Sequence, residues 1–400
     1  MDGQNADLHR ATHPGSAAEV FRAFLPLGFT AFGGPVAHLG FFRTQFVERR
    51  RWLSDAAYAD LVALCQFLPG PASSQVGMAL GLRRAGYLGM LAAWTAFTLP
   101  SAVAMAAFGL LLGIAQVGEG AAWLLGLKAA AVAVVANALL GMAGSLAATR
   151  ATATIAALAA VIVLLVPDRV AGQLAVIVLG GFAGLLLPAD VPAAEPSAPV
   201  ARTSRTFALI CLAAFFLLLF VLPLAAPLGP AADLFDRIYR AGALVFGGGH
   251  VVLPLLESEM RGMVGESDFL AGYGAAQAMP GPLFTFAAYL GSVATPFGGV
   301  AGATVALVAI FLPGALLVLG VLPFWEALRR RTLARRVLAG VNAAVVGLLA
   351  AAFYDPVFLR GIGSAAALCL AIGAFVALRQ WNAPPWAVVI ASGAIGAAIL

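Results

Sequence analysis

Five short motifs occur twice in this chain, in the same order. Phe32-Gly33-Gly34 returns as Phe246-Gly247-Gly248, Ser54-Asp55 as Ser267-Asp268, and Gln66-x-x-Pro69-Gly70-Pro71 as Gln277-x-x-Pro280-Gly281-Pro282. Phe97-x-Leu99-Pro100 is echoed by Phe311-Leu312-Pro313, and Gly126-Leu127-Lys128-Ala129-Ala130 by Gly340-Val341-Asn342-Ala343-Ala344. The spacing between mates is nearly constant, as the pairs 66/277 and 32/246 show at its two extremes. One such match is compatible with chance; five in register are a duplication. The chain must therefore fold from two related halves, and no shorter period of the kind that builds solenoids is visible. A polar Pro/Ala-rich stretch at 188–206 lies between the copies, so the expected division is 1–190, a linker 191–206, and 207–400.

Each copy is too apolar to be coated by water. Charged residues make up 10% of the chain and hydrophobic ones 62%, with a mean hydropathy of +0.97, whereas soluble proteins carry about 25% charged residues. The apolar stretches read as helices, which makes this an all-α, polytopic integral membrane protein whose first partner is the lipid bilayer. The net charge of +5 does not suggest nucleic-acid binding, since the arginines sit in short blocks between apolar runs rather than on one solvated face. The polar start of the chain lacks an apolar signal-peptide core, and a multi-pass place in the bacterial inner membrane is expected. Cys65, Cys211 and Cys369 lie in separate apolar segments and read as small buried hydrophobes.

Charge sets the orientation of the copies. After the first FGG segment come Arg43, Arg49, Arg50 and Arg51, but after the second come Glu257, Glu259, Arg261, Glu266 and Asp268. After the third segment the bias reverses: copy one has only Glu119, copy two has Arg329, Arg330, Arg331, Arg335 and Arg336. Under the positive-inside rule the copies are inverted relative to each other, an arrangement typical of secondary transporters. Arginines flank 56–82 on both sides, which fits a re-entrant element turning at Pro69-Gly70-Pro71. The expected architecture is two inverted-topology repeats with Gly/Pro-broken re-entrant helices.

Irregular backbone at membrane depth is tolerated where it lines a cavity. The breaks at Gly33-Gly34-Pro35, Gly247-Gly248-Gly249, Pro69-Gly70-Pro71 and Pro280-Gly281-Pro282 each create a half-helix N-terminus, which suits an anion, or else are kinks that let neighbouring helices pack closely. Ser73, Ser74 and Thr285 follow the turns and add hydroxyls; Gln66 and Gln277 precede them, as ligands or as ties for freed backbone. Lys128, the one lysine, lies within segment 122–147. It either faces a cavity together with its mate Asn342 or reaches for the headgroups. His38 and His250 flank glycine breaks; each is either a structural, hydrogen-bonded histidine or a candidate for a proton-linked step. Other features read as structural: Ser54-Asp55 and Ser267-Asp268 as helix N-caps, Asp60 as an edge of a water cavity, and Trp94, Trp123, Trp325, Trp381 and Trp386 as interfacial belts. No cofactor or metal is expected, because neither a phosphate-binding Gly-rich loop nor a His/Cys cluster is present.

At FGGP and QxLPGP, and at their copies FGGGH and QAMPGP, the sequence resembles the chromate ion transporter family over essentially its whole length. The resemblance implies export of chromate across the inner membrane, driven by the proton motive force, with sulfate as a structural competitor. It carries the family's motif positions onto Phe32, Gly33, Gly34, Pro35, Gln66, Pro69, Gly70 and Pro71. In the second copy it carries them onto Phe246, Gly247, Gly248, Gly249, His250, Gln277, Pro280, Gly281 and Pro282. A permease for sulfate or another oxyanion is the alternative within the class, and a homodimer is a further expectation. A lipid-phosphate phosphatase, also able to use re-entrant loops, would need an acid/base carboxylate and Arg or His beside the breaks, where this chain has Gly, Pro, Gln and His with no adjacent Glu. A transport-inactive subunit of a larger complex is the third alternative.

Overall fold

The computed structural model describes residues 15–32, 34–114, 121–166, 169–187, 204–246, 249–325, 328 and 331–400. Among these the chain is helical throughout, and its only β feature is an isolated bridge between Arg261 and Val264. Five helical stretches are long and apolar enough to cross a membrane: 72–112 (two helices joined at Ala85–Gly86), 122–146, 205–228, 299–324 and 332–361. The stretch from 205 has a mean hydropathy of 2.9 with only 17% of its window buried within the protein, so its apolar side chains face lipid. This is an all-α polytopic membrane protein.

In the first half, α1 (Ala17–Thr30) is capped by Ser16, whose hydroxyl accepts from the Glu19 backbone N–H at 3.2 Å. It stops ahead of the FGGP break, and α2 (Gly34–Phe42) resumes beyond it. α3 (Asp55–Phe67) is capped by Ser54 and ends where Leu68 turns extended (φ −82°, ψ 147°) ahead of Pro69, as a pre-proline residue must. α4 (Ala72–Ile114) leaves helical geometry at Ala85–Gly86. There it folds back so tightly that a Cβ on Gly81 would lie 2.3 Å from the Gly89 carbonyl oxygen. α5 (Ala122–Leu146), α6 (Arg150–Leu165) and α7 (Arg169–Gly184) complete the half.

The second half repeats this plan. After the lipid-facing α8 (Arg205–Ala225) come α9 (Pro230–Ala243), α10 (Val252–Met260), α11 (Glu266–Ala278), α12 (Phe286–Val293) and α13 (Gly299–Val321). They are followed by α14 (Thr332–Ala352), α15 (Ala365–Arg379) and α16 (Pro385–Ile399). α11 ends as α3 does, with Met279 extended (φ −88°, ψ 141°) before Pro280.

The halves are interleaved rather than set side by side. α6 and α7 pack on α14 of the second half, while α15 and α16 pack on α5 of the first. The glycines of the GLKAA and GVNAA motifs sit at these crossings. A Cβ on Gly126 would lie 2.2 Å from the Ser392 carbonyl oxygen, and one on Gly340 2.0 Å from that of Gly180. The motif is repeated because each half needs a helix bare enough for the other half's hairpin to press against.

Candidate functional site

The breaks of the two halves lock into each other. The backbone N–H of Gly70 donates to the Val245 carbonyl at 2.7 Å, and that of Gly281 donates to the Ala31 carbonyl at 2.8 Å. Gly70 and Gly281 are mates in the duplication, and so are Ala31 and Val245, so these are one interaction made twice. Gly70 and Gly281 adopt φ of +119° and +85°, the left-handed region that costs any residue with a Cβ. Between the two hydrogen bonds, Gly249 faces Pro35, again its own mate: a Cβ on Gly249 would lie 3.0 Å from Pro35 Cγ. Equivalent residues touch only where a pseudo-two-fold axis passes, so the axis runs through this contact.

His38 reinforces the clasp. Its Nε2 lies 3.0 Å from the Ala31 carbonyl oxygen and its Nδ1 3.3 Å from Ser73 Oγ. A carbonyl only accepts, so Nε2 carries the proton, and Nδ1 of the neutral ring accepts from the Ser73 hydroxyl. Both residues are buried. Gln75, which motif reading overlooked, is also fully buried and donates from Nε2 to the Pro69 carbonyl at 2.9 Å, holding the first PGP turn. In the second turn Thr285 serves instead, its hydroxyl donating to the Pro282 carbonyl at 2.8 Å. Ser74 is buried, and among the described residues its hydroxyl has no partner. Phe32 packs against Trp386 with ring centroids 5.5 Å apart. Gly33, Gly247 and Gly248 lie outside the described residues, as does the side chain of His250, whose backbone forms part of a short turn at Gly249–Val251.

Two cavities flank the clasp, and they too are mates. One, of about 500 Å³, is lined by Cys65, Gln66, Leu68, Gly70 and Ala72 together with Pro35, the end of α5, and Asn342. The other, of about 130 Å³, is lined by Ala276, Gln277, Met279, Gly281 and Leu283 together with Gly34 and Asn137. Those five positions correspond one to one, in the register set by the two PGP motifs. Ala138 of α5 lines both. Among the described residues neither lining carries a charged side chain. Its polarity comes from amides and from helix starts: Ala72 opens α4, Gly34 opens α2, and Leu283 opens the turn leading into α12. The Nε2 of Gln277 is buried without a partner among the described residues, as is Oδ1 of Asn342. A buried polar atom left unpaired costs about 1–3 kcal/mol, so Gln277 Nε2 is poised for an acceptor and Asn342 Oδ1 for a donor. At roughly 30 Å³ per water, even the smaller cavity has room on the scale of four oxygens.

Three sequence expectations are corrected. Ser267 is not an N-cap: α11 starts one residue earlier, with Gly265 extended at the cap position, and the Ser267 hydroxyl instead accepts from Lys128 Nζ at 2.5 Å. Lys128 and Asn342 do not share one cavity wall: Asn342 lines the larger cavity, while buried Lys128 is held at the first turn of α11, far from the PGP turn at that helix's other end. Trp325 does not belong to an interfacial belt. It is 7% exposed, packs on Phe67, and donates from Nε1 to Asp60 Oδ1 at 3.2 Å. Trp381 is 79% exposed. Asn137 was not singled out because its counterpart in the second half is Ala351, so no repeat marks it.

Charge collects away from the cavities, on α9 and α10. Arg240 pairs with Asp236 and stands 3.6 Å from Glu259 Oε1, while Arg237 binds Asp233 at 2.8 Å and donates to the Glu259 carbonyl at 3.0 Å. Burial pushes the Glu259 carboxyl up to about 7, against the opposing pull of Arg240.

A family model for chromate transporters matches the chain twice, over residues 18–185 and 232–397. A chromate transport protein of Pseudomonas aeruginosa is 32% identical over 361 residues, covering 86% of this chain and 81% of that protein. A probable chromate transport protein of Synechococcus elongatus is 28% identical over 362 residues, covering 88% and 87%. The uncharacterized transporter YwrB of Bacillus subtilis is 31% identical over 175 residues, which is 42% of this chain but 87% of that protein. No solved structure matches the chain.

Proposed function

The chain belongs to the chromate transporter family, and on that premise we propose that it exports chromate across the bacterial inner membrane as a secondary carrier drawing on the proton motive force. One observation carries the reading: the buried, unpartnered amide nitrogen of Gln277 in a small cavity at the starts of broken helices, with no charged side chain around it among the described residues. Chromate is a tetrahedral dianion whose oxygens only accept hydrogen bonds. Amide donors, serine hydroxyls and helix N-termini offer it partners without a fixed cation to hold it too tightly for release.

In this account the substrate contacts come from Gln66, Gln277, Ser73 and Ser74, from the Nδ2 of Asn342, and from the backbone N–H groups at Phe32, Gly33 and Gly34, with Gly247, Gly248 and Gly249 in the second half, while Pro35, which has no N–H, shapes the wall. The turns Pro69-Gly70-Pro71 and Pro280-Gly281-Pro282, with Thr285, fix the shape of the site. Lys128 adds a positive charge at one end of the path. A proton enters at His38, where protonation of Nδ1 turns Ser73 from donor to acceptor, or at His250. Sulfate, of the same shape and charge, competes.

The test is cellular chromate accumulation. Bacteria expressing the protein should retain several-fold less chromate than vector controls, and Gln277→Leu at equal membrane abundance should abolish the difference. Equal accumulation with correctly inserted wild-type protein would exclude chromate export.

A further inference from the structure

The two halves are equivalent in sequence but not in packing. In the second half α11 lies along α5, and α10 leans on α14. Gly274 of α11 approaches α5 so closely that a Cβ there would lie 2.6 Å from the Leu127 carbonyl oxygen, and Lys128 is fastened to Ser267 at 2.5 Å. The mates of these helices, α3 and α2, make no comparable contact with α14 and α5. The gap they leave is the cavity of about 500 Å³, against about 130 Å³ for its counterpart. The mate of the Lys128–Ser267 contact would join Asn342 to Ser54. Instead Ser54 caps α3 by accepting from the Ala57 N–H at 3.3 Å, and Asn342 Oδ1 has no partner among the described residues.

We infer that the molecule is held with one of two equivalent access paths open, and that transport exchanges a Lys128–Ser267 latch on the second half for an Asn342–Ser54 latch on the first. The moving parts are the hairpins α2–α3 and α10–α11, which take turns closing on the interleaved pair α5 and α14. The larger cavity's wall includes Gly141, Ser145 and Leu146 at the end of α5, where Arg150 follows in the sequence. Under the positive-inside rule the Arg150 side is the cytoplasm, where an exporter loads. Two discrete packings of one duplicated sequence, alternating about a fixed centre, are the geometry alternating access requires. The Pro35–Gly249 contact on the axis supplies that centre.

This inference rests on the transport reading, and its test separates the two. In a background with Cys65, Cys211 and Cys369 replaced by alanine, cysteine pairs are introduced at 128/267 and at 54/342. A further pair at 63/341 is the mate of the Gly274–Leu127 approach and contains no proposed ligand. Membranes are treated with a short bifunctional thiol reagent, which spans the length that the lost lysine side chain leaves, with and without a proton gradient and sulfate or molybdate as the probe anion. At rest, K128C/S267C should be cross-linked readily, while S54C/N342C and A63C/V341C should be cross-linked at least five-fold less. Probe and gradient together should reverse the order. Equal yields at rest, or both latches closing in one molecule carrying all four cysteines, would overturn the exchange. So would 54/342 and 63/341 yields that never rise while the cysteine-free parent moves anion. If the parent moves no oxyanion yet the resting asymmetry and its reversal appear, the exchange stands and the substrate assignment fails.

Discussion

Gly249 presses against Pro35, its own counterpart in the duplicated chain, leaving 3.0 Å between Pro35 Cγ and the point where a Cβ would sit. Around this contact the two Gly-to-carbonyl hydrogen bonds run in opposite directions. The centre of the protein is thus a clasp in which each half completes the other's broken helix.

Gly249→Ala tests the clasp. The added methyl must displace Pro35, and overpacking of this kind costs about 1–3 kcal/mol. Anion flux should fall about ten-fold or more while the protein still reaches the membrane, as measured by flux normalised to membrane abundance. Unchanged flux would mean that the axis contact does not constrain transport.

Gln277→Leu separates stability from function. Removing an unpaired buried donor should leave the detergent melting temperature unchanged or raise it, since the orphan group costs about 1–3 kcal/mol, while flux drops at least ten-fold. A melting temperature lowered by several degrees would show that Gln277 is a structural tie instead.

Gly126→Val and Gly340→Val address the interleaving. The new Cβ atoms would fall 2.2 Å and 2.0 Å from backbone oxygens of the other half's helices, where neither side can yield cheaply. Both variants should lose most folded protein by size-exclusion chromatography, whereas Gly141→Ala, with open space around it, should not. Normal yields of both valine variants would contradict the packing of α15 and α16 on α5, and of α6 and α7 on α14.

Glu259 gives stability a pH dependence of defined sign. Its carboxyl is raised to about 7 by burial at the end of α10, so the folded state binds a proton that the unfolded chain has released above the ordinary carboxylate range. Stability should therefore decline as pH rises from about 4.5 toward 7 and level off above it, by about 1–3 kcal/mol. Glu259→Gln should flatten that slope in melting curves recorded from pH 5 to 8. A slope of the same size in the variant would assign it to other groups.

Much of this was legible in the sequence because duplication doubles every signal. Paired PGP and FGG motifs marked the helix breaks, and pre-proline geometry at Leu68 and Met279 ended α3 and α11 where the prolines said they must. The motifs did not reveal which half's helices pack on which, since equivalence says nothing about partnership: Gly126 meets Ser392, and Gly340 meets Gly180, only once the halves interleave. Asymmetric features were also hidden. Gln75 corresponds to Phe286 and Asn137 to Ala351, so neither stood out as a repeat. Lys128 holds Ser267 because the second half is closed, a difference of state that one sequence, identical in both states, does not encode.

The most direct test of the account is labelled chromate uptake by everted membrane vesicles containing the protein, with the proton gradient imposed or collapsed and with sulfate as competitor. Accumulation that requires the gradient, is reduced by excess sulfate and is lost in Gln277→Leu is the predicted result. Vesicles with correctly inserted protein that take up no chromate, or that take up sulfate alone, would contradict it.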